Sequence, residues 1–246
     1  MEKKTSLIVG GSGGIGIETA RFLYNKNMNV CLTYYQNEEK IRKKLEENNI
    51  KNFDLYKVDV RDNKSIQNAI LNIFQKYEKI DSVVYSISTL ITNKKVLDLE
   101  WNDFQEHIDV QIKGLFILVK TILSLIKRNH KIKFVVILTE ACIGKPPSML
   151  SHYITAKYGL MGFVKCMASE LIQNGCTFNM ISPGMVKTDL LLNFPPKLVE
   201  IISHNNPMRR IAEPEDIAKV IYFLISDDSD YLNGINIVVN GGNVFI

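Results

Sequence analysis

A chain of 246 residues, 46% of them hydrophobic, is long enough for one α/β domain with a large core, and we expect residues 1–246 to form a single domain. The formal net charge is only +4, and no basic block of the kind that marks a nucleic-acid-binding surface is present. No apolar run approaches the roughly 20 residues that a membrane-spanning helix needs, and the first apolar run, 7–9, is too short for a signal peptide. We therefore expect a cytoplasmic protein that binds neither nucleic acid nor a membrane.

Apolar runs of strand length alternate with amphipathic runs of helix length along the whole chain. Strands are predicted at 6–9, 29–33, 53–58, 81–85, 134–138, 177–181 and 235–239. Helices are predicted at 14–27, 38–48, 62–77, 101–128, 152–174 and 214–226. Strands that are apolar throughout and separated by helices predict a parallel sheet covered on both faces. The only long irregular stretch is 188–207, which we interpret as a lid or binding loop, with a surface insertion without a role as the alternative.

The first predicted strand runs directly into a glycine-rich stretch from Gly10 to Gly16. Such a turn lets the backbone approach a pyrophosphate, and the following helix N-terminus receives the negative charge. Gly10, Gly14 and Gly16 have the spacing GxxxGxG, and a glycine cluster alone is weak evidence. Its place after the first strand of a doubly wound sheet favours a nucleotide site.

The ends of the second and third predicted strands bear on the choice of nucleotide. An acidic residue after the second strand selects NAD, and a basic residue favours NADP, but Tyr34 and Tyr35 stand there. Asp59 follows the third strand. Either it bonds the adenine, or it or Asp62 caps the next helix.

Tyr153 and Lys157 lie four residues apart at the start of a predicted helix, so their side chains share one face. An ammonium group beside a phenol favours the phenolate and lowers its pKa. The pair therefore predicts a proton donor and acceptor that works near physiological pH. A chance occurrence of the two residue types at this spacing is the alternative.

The cysteines and histidines show no metal-ligand spacing, and we expect no metal site. We interpret the cysteines as small core residues in a reducing compartment; they are Cys31, Cys142, Cys166 and Cys176. We interpret the histidines as surface residues or as residues behind the site; they are His107, His130, His152 and His204.

In their order and separation these motifs resemble the short-chain dehydrogenase/reductase family, and within it the 3-oxoacyl-acyl carrier protein reductases. The resemblance covers essentially the whole chain. Its further motifs are Asp59-Val60, residues 179–189, residues 207–216 and the ending 233–242. It implies an α/β fold with a Rossmann-like, doubly wound, seven-stranded parallel sheet and helices on both faces.

The resemblance also implies a carbonyl reductase that reduces a 3-oxoacyl thioester, bound to acyl carrier protein or CoA. Tyr153 would be the general acid, and Lys157 would bind the nicotinamide ribose. The absence of an acidic residue at Tyr34 favours NADPH; NAD stays open, because Gly13 lacks the basic residue that many NADPH-binding members carry. The expected cofactor-binding residues are Gly10, Ser12, Gly14, Ile15, Gly16, Tyr34, Asp59, Val60, Ser86, Ile87, Ser88, Tyr153, Lys157, Pro183, Gly184, Val186 and Thr188.

Three departures from the family pattern concern the cofactor end and the central helix. Val9 stands where the family usually has threonine. The stretch Tyr85-Ser86-Ile87-Ser88 replaces Asn-Asn-Ala-Gly, so Ser88 would be strained if the glycine had a positive φ. Gln111 takes the place of the active-site asparagine, with its amide one methylene further out, which would weaken or rebuild a water relay to Lys157.

The fourth departure concerns the serine that lies about thirteen residues before the family tyrosine. That count leads to Glu140, and a shift of one residue leads to Thr139, whose hydroxyl can donate the same hydrogen bond. An ionised Glu140 would repel a developing oxyanion. We predict a catalytic set of Tyr153, Lys157, Thr139 and Gln111, with Glu140 as the alternative to Thr139.

The resemblance implies a tetramer with helices 101–128 and 152–174, the last strand and the apolar C-terminus 244–246 at its interfaces. An acidic acyl carrier protein would dock on a basic patch, and the candidates are Lys127, Arg128, Lys131, Arg209 and Arg210; ordinary surface charge is the alternative. The departures equally suit a weakly catalytic or non-catalytic subunit of a mixed reductase tetramer. The apolar stretch 190–196 suits a reductase of an acyl or another small hydrophobic carbonyl.

Overall fold

The computed structural model describes residues 3–126, 130–189, 191 and 194–245. Its sheet has seven strands, all parallel, in the order β3-β2-β1-β4-β5-β6-β7. The strands are β1 Thr5–Val9, β2 Asn29–Tyr34, β3 Asp54–Lys57, β4 Ser82–Tyr85, β5 Ile132–Ile137, β6 Cys176–Pro183 and β7 Asn236–Val239. The strand order reverses between β1 and β4, which is the point where doubly wound sheets bind their ligands. The predicted fold class is confirmed.

Helices cover both faces of the sheet. In the described ranges they are α1 Gly14–Asn25, α2 Glu38–Glu47, α3 Asn63–Tyr77, α4 Trp101–Ile108, α5 Gly114–Leu125, α6 Ser151–Glu170, α7 Pro196–Asn205 and α8 Pro214–Ile225. Alternate residues of a strand face opposite sides. Leu7 of β1 therefore packs in the core that includes α3, α5 and α6, whereas Ile8 packs in the core that includes α1, α2 and α8.

The predicted helix 101–128 is interrupted by a π-helical turn at Asp109–Lys113, between α4 and α5, and its end at Arg128 lies outside the described residues. The fully buried hydroxyl of Tyr85 donates a 2.5 Å hydrogen bond to the Val110 carbonyl in that turn. Gly114 permits this approach, because a Cβ there would lie 2.6 Å from the Tyr85 hydroxyl oxygen. Such turns inside α-helices occur often at functional sites, and this one carries Gln111.

The interpretation of 188–207 as one irregular stretch is wrong, because α7 occupies half of it. Pro196 is the first residue of α7, where the fixed φ of proline favours a helix start and no backbone N–H is needed. Leu190, Leu192 and Asn193, which belong to the predicted apolar loop, lie outside the described residues.

Cys31, Cys142 and Cys176 are buried as predicted, whereas Cys166 is exposed on α6, so its interpretation as a core residue is wrong. All four thiols are free. No helix in the described ranges is both long and apolar enough to cross a membrane.

Candidate active site

The glycine-rich turn after β1 is held by Thr33 of the neighbouring strand β2. The backbone N–H of Gly10 donates to the Thr33 hydroxyl at 3.2 Å, and that of Gly11 donates to the Thr33 carbonyl at 3.0 Å. Thr33 therefore supplies a bracing hydroxyl to a turn in which Val9 has none. Gly10 has a φ of +85°, and a Cβ there would lie 2.2 Å from the Ser86 carbonyl oxygen, so only glycine fits.

The start of α1 meets the stretch that follows β6. Gly13 precedes α1 and caps it without a side-chain hydrogen bond, so the first-turn N–H groups have no side-chain cap in this part of the described chain. A Cβ at Gly14 would lie 2.7 Å from the Thr188 methyl group, and one at Gly16 would lie 2.5 Å from the Gly10 carbonyl oxygen. These uncapped N–H groups and the bare glycine backbone fit a pyrophosphate. Ser12 is exposed beside them, and Ile15 is partly buried against the core.

At the adenosine end, Tyr34 and Tyr35 take different positions. Tyr34 is buried, and its hydroxyl donates to Glu38, which raises the pKa of the Tyr34 phenol. Tyr35 is 46% exposed, and its hydroxyl accepts a 3.0 Å hydrogen bond from Arg61. Sequence reasoning missed Arg61, because it follows β3 and not β2.

The structure shows which of the two aspartates, Asp59 or Asp62, caps the helix that follows β3. Asp62 caps α3, since its carboxylate accepts a hydrogen bond from the Lys64 N–H at 3.0 Å. Asp59 instead accepts three hydrogen bonds from Arg61, and these bonds hold the pKa of its carboxyl group below the ordinary value. Asp59 therefore does not cap α3, and its adenine-binding role remains a prediction.

The stretch that replaces Asn-Asn-Ala-Gly adopts an ordinary backbone. The Ser86 N–H donates to the Val9 carbonyl at 2.9 Å, and Ile87 lies beside the space above Gly10. Ser88 is exposed and is not among the described non-glycine residues with positive φ, so the condition for backbone strain at this position is not met. Val60 is buried beneath this stretch, beside Gly114.

The predicted nicotinamide stretch continues β6 along the same edge of the sheet. Pro183 ends β6, Gly184 donates its N–H to the Val239 carbonyl at 2.9 Å, and Val186 forms a parallel bridge with Ala212. Beyond Thr188, the Asp189 carboxylate accepts a 2.7 Å hydrogen bond from Lys44 of α2. The stretch that follows β6 is thus held by contacts with β7, with Ala212 and with α2.

Thr139 and Glu140, at the end of β5, have different hydrogen-bond partners. The Thr139 hydroxyl is close enough to the Tyr153 phenol to lower the pKa of that phenol, and it accepts a hydrogen bond from the Ala141 N–H at 3.3 Å. The Glu140 carboxylate instead accepts from the Asn243 amide at 3.2 Å. The geometry therefore favours Thr139 over Glu140 as the hydroxyl partner of the tyrosine.

Lys157 is 3% exposed, and its ammonium donates a 2.9 Å hydrogen bond to the Ile137 carbonyl and lies 5.9 Å from the centre of the Tyr153 ring. Burial lowers the pKa of Lys157 from 10.5 to about 8. Burial also raises the pKa of Tyr153, and this outweighs the Thr139 hydrogen bond that lowers it. The expectation that the tyrosine pKa is lowered is wrong for this structure, because desolvation of the phenol is the largest effect.

Gln111 is fully buried, and its amide nitrogen lies 3.1 Å from Nδ1 of His107. The Thr89 hydroxyl lies 3.3 Å from both Nδ1 and Nε2 of the same ring. The ring of His107 lies 5.7 Å from that of Tyr153 and 5.1 Å from that of His152, between centres. The imidazole ring of His107 thus links the Gln111 amide to the Tyr153 ring.

His107 and His152 are buried, so their interpretation as surface residues is wrong. Their burial fits the alternative, that they lie behind the site. Burial, with the positive charge of Lys157 nearby, lowers the pKa of His107 to about 4, and burial also lowers that of His152. Four buried polar atoms of the described chain lack a partner, and all four lie on Gln111, Ser151 or His152. Sequence reasoning missed this polar cluster because α4 and α6 are far apart along the chain.

The predicted basic patch does not form one surface. Lys131 precedes β5, at the amino ends of the strands, whereas Arg209 and Arg210 lie between β6 and α8, beyond the carboxyl ends. Arg210 pairs with Asp216. Lys127 and Arg128 lie outside the described residues.

Sequence comparisons show that the chain is similar to proteins described as acyl carrier protein reductases. A family profile described as enoyl-(acyl carrier protein) reductase matches residues 10–243. The 3-oxoacyl-acyl carrier protein reductase of Rickettsia felis is 30% identical over 243 residues, which cover 99% of this chain and 98% of the relative. Its counterpart from Rickettsia conorii is 31% identical over 250 residues, with the same coverage.

Solved structures show the same fold. Levodione reductase superposes with a TM-score of 0.89 at 23% identity, covering 97% of this chain and 96% of that one. A short-chain dehydrogenase/reductase from Brucella melitensis, described as a glucose/ribitol dehydrogenase, gives 0.89 at 22% identity, covering 100% and 98%. The chain belongs to the short-chain dehydrogenase/reductase family and is an NAD(P)-dependent oxidoreductase that acts on CH–OH and C=O groups.

Proposed function

We propose that the chain is an NADPH-dependent ketoreductase that converts a 3-oxoacyl thioester, carried by acyl carrier protein or CoA, to the 3-hydroxyacyl thioester. The observation that carries the proposal is the buried Lys157 ammonium 5.9 Å from the centre of the Tyr153 ring, with Thr139 near the phenol. The activity named for the Rickettsia relatives supports the substrate class. We further propose that residues 1–246 act as one domain.

In the proposed reaction, Tyr153 gives its phenolic proton to the substrate carbonyl oxygen as the carbonyl carbon is reduced. The Thr139 hydroxyl donates a second hydrogen bond to that oxygen and stabilises the charge that develops on it. Lys157, charged at neutral pH, favours the tyrosinate that remains after proton transfer. Gln111 holds His107 against the tyrosine ring. The bound nicotinamide supplies the hydride.

We propose that the cofactor lies across the carboxyl edge of β1, β2, β4 and β6. Its pyrophosphate meets the glycine-rich turn and the start of α1, and its adenine meets Asp59 and Val60. The stretch from Pro183 to Thr188 receives the nicotinamide. The other binding residues in this proposal are Tyr34, Ser86, Ile87, Ser88, Tyr153 and Lys157. NADPH is favoured over NADH because no carboxylate follows β2 directly; Glu38, the nearest one, is paired with Tyr34 and Arg42.

We propose a homotetramer, with a mixed tetramer as the alternative, in which α5 and α6 meet a second copy. Phe116 of α5 is 50% exposed, and its ring centre lies 6.4 Å from that of Phe163 on α6, which gives this surface an aromatic patch. We also propose a cytoplasmic location, where four free thiols are stable.

A second candidate is a weakly catalytic or non-catalytic subunit of a mixed reductase tetramer. The unpartnered polar atoms around Gln111 and His152 favour it, because unsatisfied buried groups cost stability and suit a site that has drifted. A reductase of another small hydrophobic carbonyl is the third candidate.

One experiment separates these candidates. The purified chain is titrated with NADPH and NADH by nicotinamide fluorescence, and a 3-oxoacyl thioester is then added while the dihydronicotinamide absorbance is followed. Nucleotide binding with oxidation on addition of the thioester supports the ketoreductase. Binding without oxidation favours the subunit or another carbonyl substrate, and oxidation by an enoyl thioester alone would overturn the assignment to a carbonyl group.

A further inference from the structure

Arg61 is held rigidly between the carboxyl ends of β2 and β3. Its Nε and Nη2 donate to the two carboxylate oxygens of Asp59 at 2.9 and 2.8 Å, and its backbone N–H donates to the same carboxylate at 3.0 Å. A two-pronged guanidinium–carboxylate pair fixes the plane of the guanidinium. Its orientation is therefore set before any ligand arrives.

Tyr35 fixes the other side of the same guanidinium. Nη2 donates to the Tyr35 hydroxyl at 3.0 Å, and the guanidinium carbon lies 5.3 Å from the centre of the Tyr35 ring. With Nε and Nη2 engaged, Nη1 has no hydrogen-bond partner among the described residues. The Arg61 side chain is 39% exposed, so the two N–H groups of Nη1 are accessible to an oxygen-rich ligand.

The position of this group matters as much as its orientation. In a doubly wound sheet, the residues at the end of the second strand face the adenosine ribose. Tyr35 directly follows β2, so Arg61 brings a positive charge from the turn after β3 to the place where β2 has none. Glu38, the first carboxylate after β2 along the chain, is itself shared by Tyr34 and Arg42, which reduces repulsion of an anion.

We propose that Arg61 selects NADPH over NADH by binding the adenosine 2′-phosphate through Nη1, with Asp59 and Tyr35 holding the guanidinium in place. A fork of this kind recognises phosphate better than a single ammonium does. The inference rests on the proposed function only in that it uses the same nucleotide site. It concerns affinity and is independent of whether Tyr153 transfers a proton.

The test is calorimetric titration of the full chain with adenosine 2′,5′-bisphosphate and with 5′-AMP, which need no turnover. Wild type is expected to prefer the bisphosphate. Arg61→Ala should lose on the order of 10- to 100-fold in bisphosphate affinity, with 5′-AMP affinity within about threefold of wild type. Arg61→Lys should fall between wild type and Arg61→Ala. Arg21→Ala, which removes an arginine of α1 that pairs with Glu18, should keep the wild-type preference.

Tyr35→Phe provides a second variant that keeps the charge and removes one anchor, and a loss of about threefold in bisphosphate affinity is expected. An unchanged preference in both Arg61→Ala and Tyr35→Phe overturns the proposal, as does a wild type without any preference for the bisphosphate. If bisphosphate selectivity follows Arg61 but no thioester is reduced, the proposed function fails while this inference stands.

Discussion

The carboxylate of Glu140 is bound by the side-chain amide of Asn243, which lies 3.2 Å from each of its oxygens. This contact joins the turn after β5 to the C-terminal segment and engages both carboxylate oxygens. Thr139, the residue before it, faces the tyrosine. Two adjacent residues that compete for one role in the sequence therefore have separate roles in the structure.

Thr139→Val is expected to lower kcat by about 100-fold, because it removes a hydrogen-bond donor aimed at the developing oxyanion while keeping the shape of the side chain. Glu140→Gln, the matched control on the next residue, should change kcat by less than about threefold. Steady-state kinetics with a saturating nucleotide measure both. The reverse ranking would assign the role to Glu140.

Lys157→Met is expected to stabilise the folded chain at pH 7 while it impairs turnover. The folded-state pKa of Lys157, about 8, lies below its ordinary value of 10.5, so the charged form is disfavoured by folding, by about 3 kcal/mol at most. This penalty is complete below pH 8 and disappears as the pH rises through 10.5, because only between these values does the unfolded chain bind more protons. Urea unfolding of both proteins from pH 7 to 10 measures the difference.

The stability advantage of Lys157→Met should therefore shrink as the pH rises above 8. The matched control is Lys120→Met, which changes an exposed lysine of α5 and should show no such trend. A constant difference in unfolding free energy between wild type and Lys157→Met across the pH range would mean that folding does not disfavour the charged form of Lys157.

His107→Phe keeps an aromatic ring against Tyr153 but removes both ring nitrogens. The Gln111 amide then loses its partner at Nδ1, and the tyrosine loses a neighbour that is fixed by hydrogen bonds. We expect kcat to fall by about 10- to 100-fold and the unfolding free energy to fall by about 1–3 kcal/mol. His130→Phe removes the histidine that bonds the Ile80 carbonyl, far from the site, and should lower stability without changing kcat.

Gly10→Ala should destabilise the chain by about 3 kcal/mol or more, since the new Cβ meets the Ser86 carbonyl oxygen and the φ of +85° disfavours any side chain. Gly13→Ala is the matched change, because Gly13 has an extended backbone and the nearest atom to its Cβ would be 3.7 Å away. Thermal unfolding compares the two. Equal melting temperatures would contradict the close approach of the turn to Ser86.

The sheet and most helices were predictable because hydrophobic periodicity along the chain follows burial on a regular element. The π-helical turn was not, since it depends on the Tyr85 hydroxyl reaching the Val110 carbonyl from another strand. The short helix α7 was hidden behind Pro195-Pro196, which indicates irregular chain as readily as a helix start.

Within the site, spacing alone could pair Tyr153 with Lys157, because both lie on one helix. It could not choose between Thr139 and Glu140, because their different hydrogen-bond partners depend on a tight turn and on a contact with the C-terminal segment. Nor could it bring Arg61 to Tyr35, because tertiary packing joins the ends of two strands there. Long-range contacts of this kind leave no periodic signal.

The role of the Tyr153 phenol is tested by comparing wild type with Tyr153→Phe, with oxidation of the dihydronicotinamide followed after a 3-oxoacyl thioester is added. We expect wild type to turn over, and we expect Tyr153→Phe to bind the nucleotide with similar affinity and to unfold at a similar temperature but to lose at least about 1000-fold in kcat. Turnover within about tenfold of wild type in Tyr153→Phe would contradict the proposal that this phenol supplies the proton.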